Sequence, residues 1–150
     1  MRRSKFFVTD DGTASLEFVT AGLILLVPMI YLILVMSAIQ AAALATEGAA
    51  RQAARIFVQA DDERDGRASA ARAIQFALAD YGLDAADATV KIRCAPEPDD
   101  CLTRRGFVTV EVAIEVPLPL VPPALTIDAP LAVPLRATAT QQVSRFWGSE

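Results

Sequence analysis

The chain has no histidine, only two cysteines, and fewer basic than acidic residues, 14 against 18 in 150 residues. Without histidine it lacks the commonest general base and metal ligand. The net charge of −4 does not provide the basic surface that phosphate binding requires, so we expect no nucleic-acid partner. The sequence also contains no nucleophile with a paired base, no phosphate-binding loop and no cluster of metal ligands. We therefore expect no enzymatic activity, no cofactor and no metal.

Apolar residues, in contrast, are abundant, at 53% of the chain with a positive mean hydropathy. This is too high for an ordinary soluble domain of this length. The segment Phe18–Ile39 is almost continuously apolar, and residues 18–46 include no charge. Because about 20 apolar residues cross a bilayer, it predicts a transmembrane helix. The basic residues Arg2, Arg3 and Lys5 should stay in the cytoplasm, which places the C-terminal part outside it.

The predicted helix extends well past the membrane, because residues 41–60 are rich in alanine, a strong helix former. We expect it to run from Thr13 to about Gln59. Pro28 should bend it, since proline removes a backbone donor and clashes with the preceding turn. Small residues along this helix would permit close packing against neighbouring helices in a bundle. They are Ala21, Gly22, Ala38, Ala41, Ala42, Ala45, Gly48 and Ala49.

A second helix is predicted after the polar run 61–66, which should interrupt the first one. Its period places Ala71, Ile74, Leu78 and Tyr81 on one face of residues 68–81, and Gly82 is suited to end it. Three acidic residues and Gly66 in the polar run fall near the positions of a calcium-binding loop. The twelfth position, however, is Arg72 instead of glutamate, so we interpret the run as a solvated loop.

Beyond residue 87 the apolar period changes to two, which is typical of strands. Val90, Ile92 and Cys94 alternate with polar residues in the first strand. Valines and Ile114 alternate with Glu111 and Glu115 in the second, and we expect both glutamates to be exposed. A third strand spans residues 131–143, where Pro134 indicates an edge position.

The two cysteines, Cys94 and Cys101, lack the two-residue spacing of zinc and redox motifs. They flank a loop between the first two strands, on the side predicted to be oxidising, so a local disulfide is expected. The predicted fold class is thus α+β, with a long N-terminal transmembrane helix, a second short helix and a small antiparallel sheet whose loop is closed by a disulfide. The predicted segments are a cytoplasmic leader (1–12), a transmembrane and stem helix (13–60) and an extracytoplasmic domain (61–150).

The junction of leader and apolar segment, Gly12-Thr13-Ala14-Ser15-Leu16-Glu17-Phe18, resembles the prepilin-peptidase site of type IV pilin-like proteins. In that class a glycine precedes the cut, the fifth mature residue is glutamate, and an aromatic residue often follows it. The short leader, this motif, one hydrophobic helix and a small mixed domain resemble the TadE family of minor pseudopilins in tight-adherence (Tad) systems. The resemblance rests mainly on residues 10–60.

The resemblance implies cleavage between Gly12 and Thr13 by a prepilin peptidase, followed by assembly into, or priming of, a Tad-type pilus or related secretion apparatus used in adhesion. Glu17 and Phe18 would then act in assembly. An unpaired carboxylate next to lipid is costly, so Glu17 would pair with the Thr13 amine of a neighbouring subunit. The implied partners are the membrane, other pilin or pseudopilin subunits, the peptidase and the Tad inner-membrane assembly platform. The location is the inner membrane, single-pass, or a pilus at the cell surface.

Two alternatives remain open at the level of sequence. Ala43-Leu44-Ala45 fits the small-residue pattern of signal-peptidase sites and would release a soluble domain beginning at Thr46. The apolar segment is longer than a signal peptide requires, which disfavours release. The other alternative is an uncleaved single-pass membrane protein whose extracytoplasmic domain binds a partner.

Overall fold

The computed structural model of the chain describes residues 13–120 and 132–148. Two α-helices, α1 (Thr13–Phe57) and α2 (Glu63–Ala79), precede a short 3₁₀ turn at Ala85–Asp87. Three strands follow, β1 (Ala88–Ala95), β2 (Phe107–Pro117) and β3 (Ala132–Gln142), and they form one antiparallel sheet in the order β1-β2-β3. The α+β fold expected from the sequence, including the long apolar helix and the Cys94–Cys101 disulfide, is confirmed.

The chain divides into two compact units, residues 1–36 and residues 37–150, and the division falls within α1. In the first unit, every residue from Ser15 to Leu34 is exposed. The helix continues through Pro28 without interruption. A helix satisfies its own backbone hydrogen bonds, which is what a segment surrounded by lipid requires.

The described residues of the second unit, which we call the head, form one buried core. Its helical part is the second half of α1, where buried residues recur with the helical period at Ala42, Ala45, Ala49, Ala53 and Phe57. These side chains form one cluster with the inward face of the sheet and with α2. The core of the head therefore includes residues that the sequence assigned to the stem.

The central strand β2 forms the middle of this core. Its inward residues Val108, Val110, Val112, Ile114 and Val116 are all buried, as the period of two predicts. The flanking strands are less buried because each has a neighbour on one side only. Pro134 lies in β3, an edge strand, as predicted.

Helix α2 begins earlier than predicted, at Glu63 instead of Ala68. The reason is an N-cap: the Asp62 carboxylate accepts a hydrogen bond from the Asp65 amide at 2.8 Å, so most of the acidic run is the first helical turn. The predicted buried face is also partly wrong, because Ala71 and Tyr81 are exposed while Ala70 and Ala73 are buried. Helix α2 ends at Ala79, and Gly82 follows it in a left-handed conformation (φ 71°), as suits a helix terminus.

Candidate assembly and anchoring site

The predicted assembly residue Glu17 lies one turn into α1, which starts at Thr13. Four residues of helix separate the two positions by about 6 Å along the axis. Glu17 is exposed, and within the described part of the chain its carboxylate has no hydrogen-bond or ion-pair partner. Gly12, the other predicted processing residue, lies outside the described residues. Cleavage at this junction therefore stays a prediction.

The surface around Glu17 is apolar. Phe18 is 79% exposed and Leu25 75% exposed, and large aliphatic residues continue around all sides of the helix. Among the described residues, α1 is the helix that is long and apolar enough to cross a membrane. Each exposed large aliphatic side chain forgoes about 1.5–3 kcal/mol of burial free energy, so this surface favours contact with other apolar groups over contact with water.

The small residues of α1 differ in their surroundings. Ala38 and Ala41 are partly buried, and Gly48 is exposed. Ala21 and Gly22 are exposed in the first unit, and a Cβ added at Gly22 would have no atom within 4 Å. Ala42, Ala45 and Ala49, in contrast, are at most 2% exposed and belong to the core of the head. These three alanines pack inside their own subunit, so the prediction that they contact another helix of a bundle is wrong.

The disulfide connects the end of β1 to the loop before β2, with the Cys94 and Cys101 Cα atoms 5.0 Å apart. The loop is also attached to α2, because the backbone N–H of Cys101 donates a hydrogen bond to Glu63 Oε1 at 2.6 Å. Leu102, the next residue, is fully buried. Arg67 pairs with the other oxygen of Glu63 at 3.5 Å. Glu63 thus fastens the loop to the helix, a role quite different from calcium ligation.

The expectation for the β2 carboxylates is wrong for Glu111 and confirmed for Glu115. Glu111 is only 8% exposed, although it lies on the outward face of the central strand. Arg93 of β1 contacts its Oε2 at 3.0 Å, and Arg136 of β3 contacts its Oε1 at 3.4 Å. Both arginines cover the carboxylate from the neighbouring strands. The sequence shows alternation along one strand, but not which residues of other strands lie beside it.

Trp147, the single tryptophan, was missed by sequence reasoning. Its indole N–H donates to the carbonyl of Ala60 at 3.0 Å, and Arg104 Nε donates to the carbonyl of Trp147 at 2.8 Å. The C-terminal segment is therefore attached both to the connection after α1 and to the disulfide loop. No local signal could have identified this contact, because its partners are distant in sequence.

No group of side chains suited to holding a metal ion occurs among the residues that the structure describes. The features that stand out in the described chain are an exposed apolar helix with a carboxylate near its start, and a small head closed by a disulfide. No protein-family model, no curated protein and no solved structure matches this chain.

Proposed function

We propose that this chain is a membrane-anchored, pilin-like structural subunit, similar to the TadE minor pseudopilins of Tad systems. The observation that supports this best is that the two halves of α1 differ in exposure. Its first half exposes apolar side chains on every side, and its second half is a core helix of the head. One helix thus joins an anchoring segment to a folded domain, which suits a subunit that is first held in a membrane and then packed into a fibre.

The anchoring step follows from the exposed apolar surface. In this proposal the first half of α1 is surrounded by lipid or by other apolar helices, because exposing its apolar side chains to water is unfavourable in free energy. The proposed location is the inner membrane, crossed once, with the head on the extracytoplasmic side. The disulfide is compatible with that side, because disulfides persist in oxidising compartments.

The assembly step depends on Glu17. A carboxylate bordering lipid costs several kcal/mol unless it is paired. Glu17 has no partner within the described chain, so a partner from another molecule would relieve that cost. After cleavage following Gly12, the new amine of Thr13 would be a cation of suitable charge. In this proposal the amine of one subunit pairs with Glu17 of a neighbour and sets the register of packing.

Release of a soluble domain at Thr46 is disfavoured by the packing of α1. Ala45 and Thr46 are both 1% exposed, and the Thr46 hydroxyl donates to the Ala42 carbonyl at 2.7 Å. Cleavage between them would cut a continuous core helix and remove Ala42 and Ala45 from the head. A peptidase needs an accessible, extended backbone, which this position does not offer.

The N-terminal residue of the membrane-extracted protein tests the processing step. Co-expression with the cognate prepilin peptidase should yield a chain starting at Thr13, detected by intact mass. Gly12→Val should block cleavage, because the added side chain prevents close approach to the backbone. Gly22→Ala serves as a control, since its new Cβ meets nothing. A wild-type chain that still starts at Met1 would contradict processing and favour the uncleaved, partner-binding alternative.

The assembly step is tested with Glu17→Gln, which removes the charge and keeps the size. We expect the variant to be processed and inserted but to fail to co-purify with other pilin subunits. Glu47→Gln is the matched control, because Glu47 is an exposed glutamate of the same helix whose ion-pair partner among the described residues is Arg51, four positions on. Normal co-purification of Glu17→Gln would refute the pairing, whatever the outcome of the cleavage experiment.

A further inference from the structure

The free edge of β1 lies beside an apolar groove of about 380 Å³ between that strand and α2. Among the described residues, β1 pairs only with β2, so its other edge has unpaired backbone groups. Most residues of β1 are exposed, whereas the inward face of β2 is fully buried. The groove is lined from α2 and β1 mainly by Ala70, Ala71, Arg72, Ile74, Val90 and Ile92.

The lining of the groove matches the geometry of strand addition. Val90 and Ile92 are alternate residues of β1 and lie on the same face of the sheet. A strand added next to β1 would direct every second side chain to that face, and therefore into the groove. An unpaired strand edge supplies main-chain hydrogen bonds and the adjoining pocket supplies selectivity, as in other cases of strand addition.

The side chains on the opposite face of β1 indicate which charge a strand bound at this edge should carry. Lys91 lies between Val90 and Ile92, and Arg93 follows Ile92; both are exposed and cationic. In the register of the sheet, Lys91 lies opposite Glu111 of β2 and Arg93 lies opposite Thr109. The Glu111 carboxylate contacts Arg93 at 3.0 Å. Lys91 has no ion-pair partner within the described chain. A carboxylate on the free side would therefore meet the positive charge of Lys91, which no ion pair within the described residues compensates.

We propose that the β1 edge binds an extended segment of a partner protein in which apolar residues alternate with acidic ones. The paired edge of β1 already shows this pattern, because β2 contributes inward valines and the outward Glu111. A second copy of β1 is a poor occupant, since Lys91 and Arg93 would face like charges. The other edge strand, β3, is unsuited, because Pro134 cannot donate a backbone hydrogen bond. The proposal concerns the head and does not depend on processing of α1.

A labelled nine-residue peptide that alternates valine with glutamate or threonine is the probe. Fluorescence anisotropy with the full-length protein in detergent micelles should show saturable binding. Ala71→Glu, which places bulk and negative charge in the groove, should weaken binding at least tenfold. Ala68→Glu is the matched control, because Ala68 is exposed on the same helix and does not line the groove. Lys91→Glu should weaken binding about fivefold through charge alone, equivalent to about 1 kcal/mol.

Hydrogen exchange identifies the edge that is occupied. The peptide should slow exchange of amides in β1 at least tenfold and leave β3 unchanged, and a peptide with a central proline should bind much more weakly. Absence of saturable binding would overturn the proposal, as would equal binding to the Ala71→Glu and Ala68→Glu variants. Self-association that is blocked by Ala71→Glu and not displaced by the peptide would also overturn it, in favour of a second copy.

Discussion

Replacing Glu111 by glutamine tests the contact network on the outward face of the sheet. The substitution keeps the size and shape of the side chain and removes its charge. It therefore affects both ion pairs at once, the one with Arg93 at 3.0 Å and the one with Arg136 at 3.4 Å. Because these arginines belong to β1 and β3, the same carboxylate joins all three strands of the sheet.

The expected loss lies between two limits. Hydrogen bonds to charged groups contribute about 1.5–3 kcal/mol when shielded, and exposed ion pairs only about 0.2–1 kcal/mol. The Glu111 side chain is 11% exposed, while those of Arg93 and Arg136 are 68% and 67% exposed. The carboxylate is thus shielded, but both arginines remain hydrated when it is lost. We expect the free energy of unfolding of the head to fall by about 1–2 kcal/mol.

Thermal and urea unfolding in detergent, followed by circular dichroism of the sheet, measure this loss. A decrease of that size lowers the melting temperature by about 3–8 °C for a domain of this length. Glu115→Gln is the matched control, because Glu115 lies on the same strand and face but is exposed and without an ion pair among the described residues. Its stability should stay within about 0.5 kcal/mol of the wild type.

Unfolding of the Glu111→Gln and Glu115→Gln variants at the same urea concentration would refute a stabilising role of the Glu111 ion pairs. Loss of the difference between the two variants on adding moderate salt would also refute it, because a shielded pair is screened much less than an exposed one. Double-mutant cycles that combine Glu111→Gln with Arg93→Gln or with Arg136→Gln would measure the coupling energy of each ion pair.

Three further predictions concern the head. Replacing Cys94 and Cys101 by serine should lower the stability of the head by about 2 kcal/mol on the chain-entropy model. Urea unfolding measures this loss, and equal stability with and without the disulfide would contradict the prediction. Ala49→Leu should destabilise by about 1–3 kcal/mol because Ala49 is fully buried, whereas Ala43→Leu on the exposed face should be neutral in the same thermal melts. Trp147→Phe should lose about 1 kcal/mol with its hydrogen bond to Ala60, and Tyr81→Phe, at an exposed position, should lose nothing.

Sequence periodicity predicted the elements of the fold well, because it reflects local geometry. The valines of β2 alternate, and its inward face is buried as expected. The start of α2 was predicted less well, because the acidic run was interpreted by its polarity alone. An aspartate before a helix can cap it, and the capping bond from the Asp65 amide to Asp62 made the same residues helical.

It was harder to predict which partner a helix face packs against and which side chains distant segments bring together. Alanine-rich sequence in α1 is compatible with packing against another subunit or against the same chain. In the structure Ala42, Ala45 and Ala49 pack within the head, since the sheet and α2 are connected to the same helix. Glu111 and Trp147 were mispredicted or missed for the same reason, because Arg93, Arg136 and Ala60 approach them only after folding.

The sequence by itself determined the long apolar helix, the α+β class, the strand alternation and the pairing of its two cysteines. Each of these follows from composition, from a period of a few residues, or from there being a single possible cysteine pair. The tertiary structure alone decided which half of α1 is buried, how Glu63 holds the disulfide loop, and that the edge of β1 lies beside an apolar groove. These features depend on the register and approach of segments far apart in the chain, which local patterns do not encode.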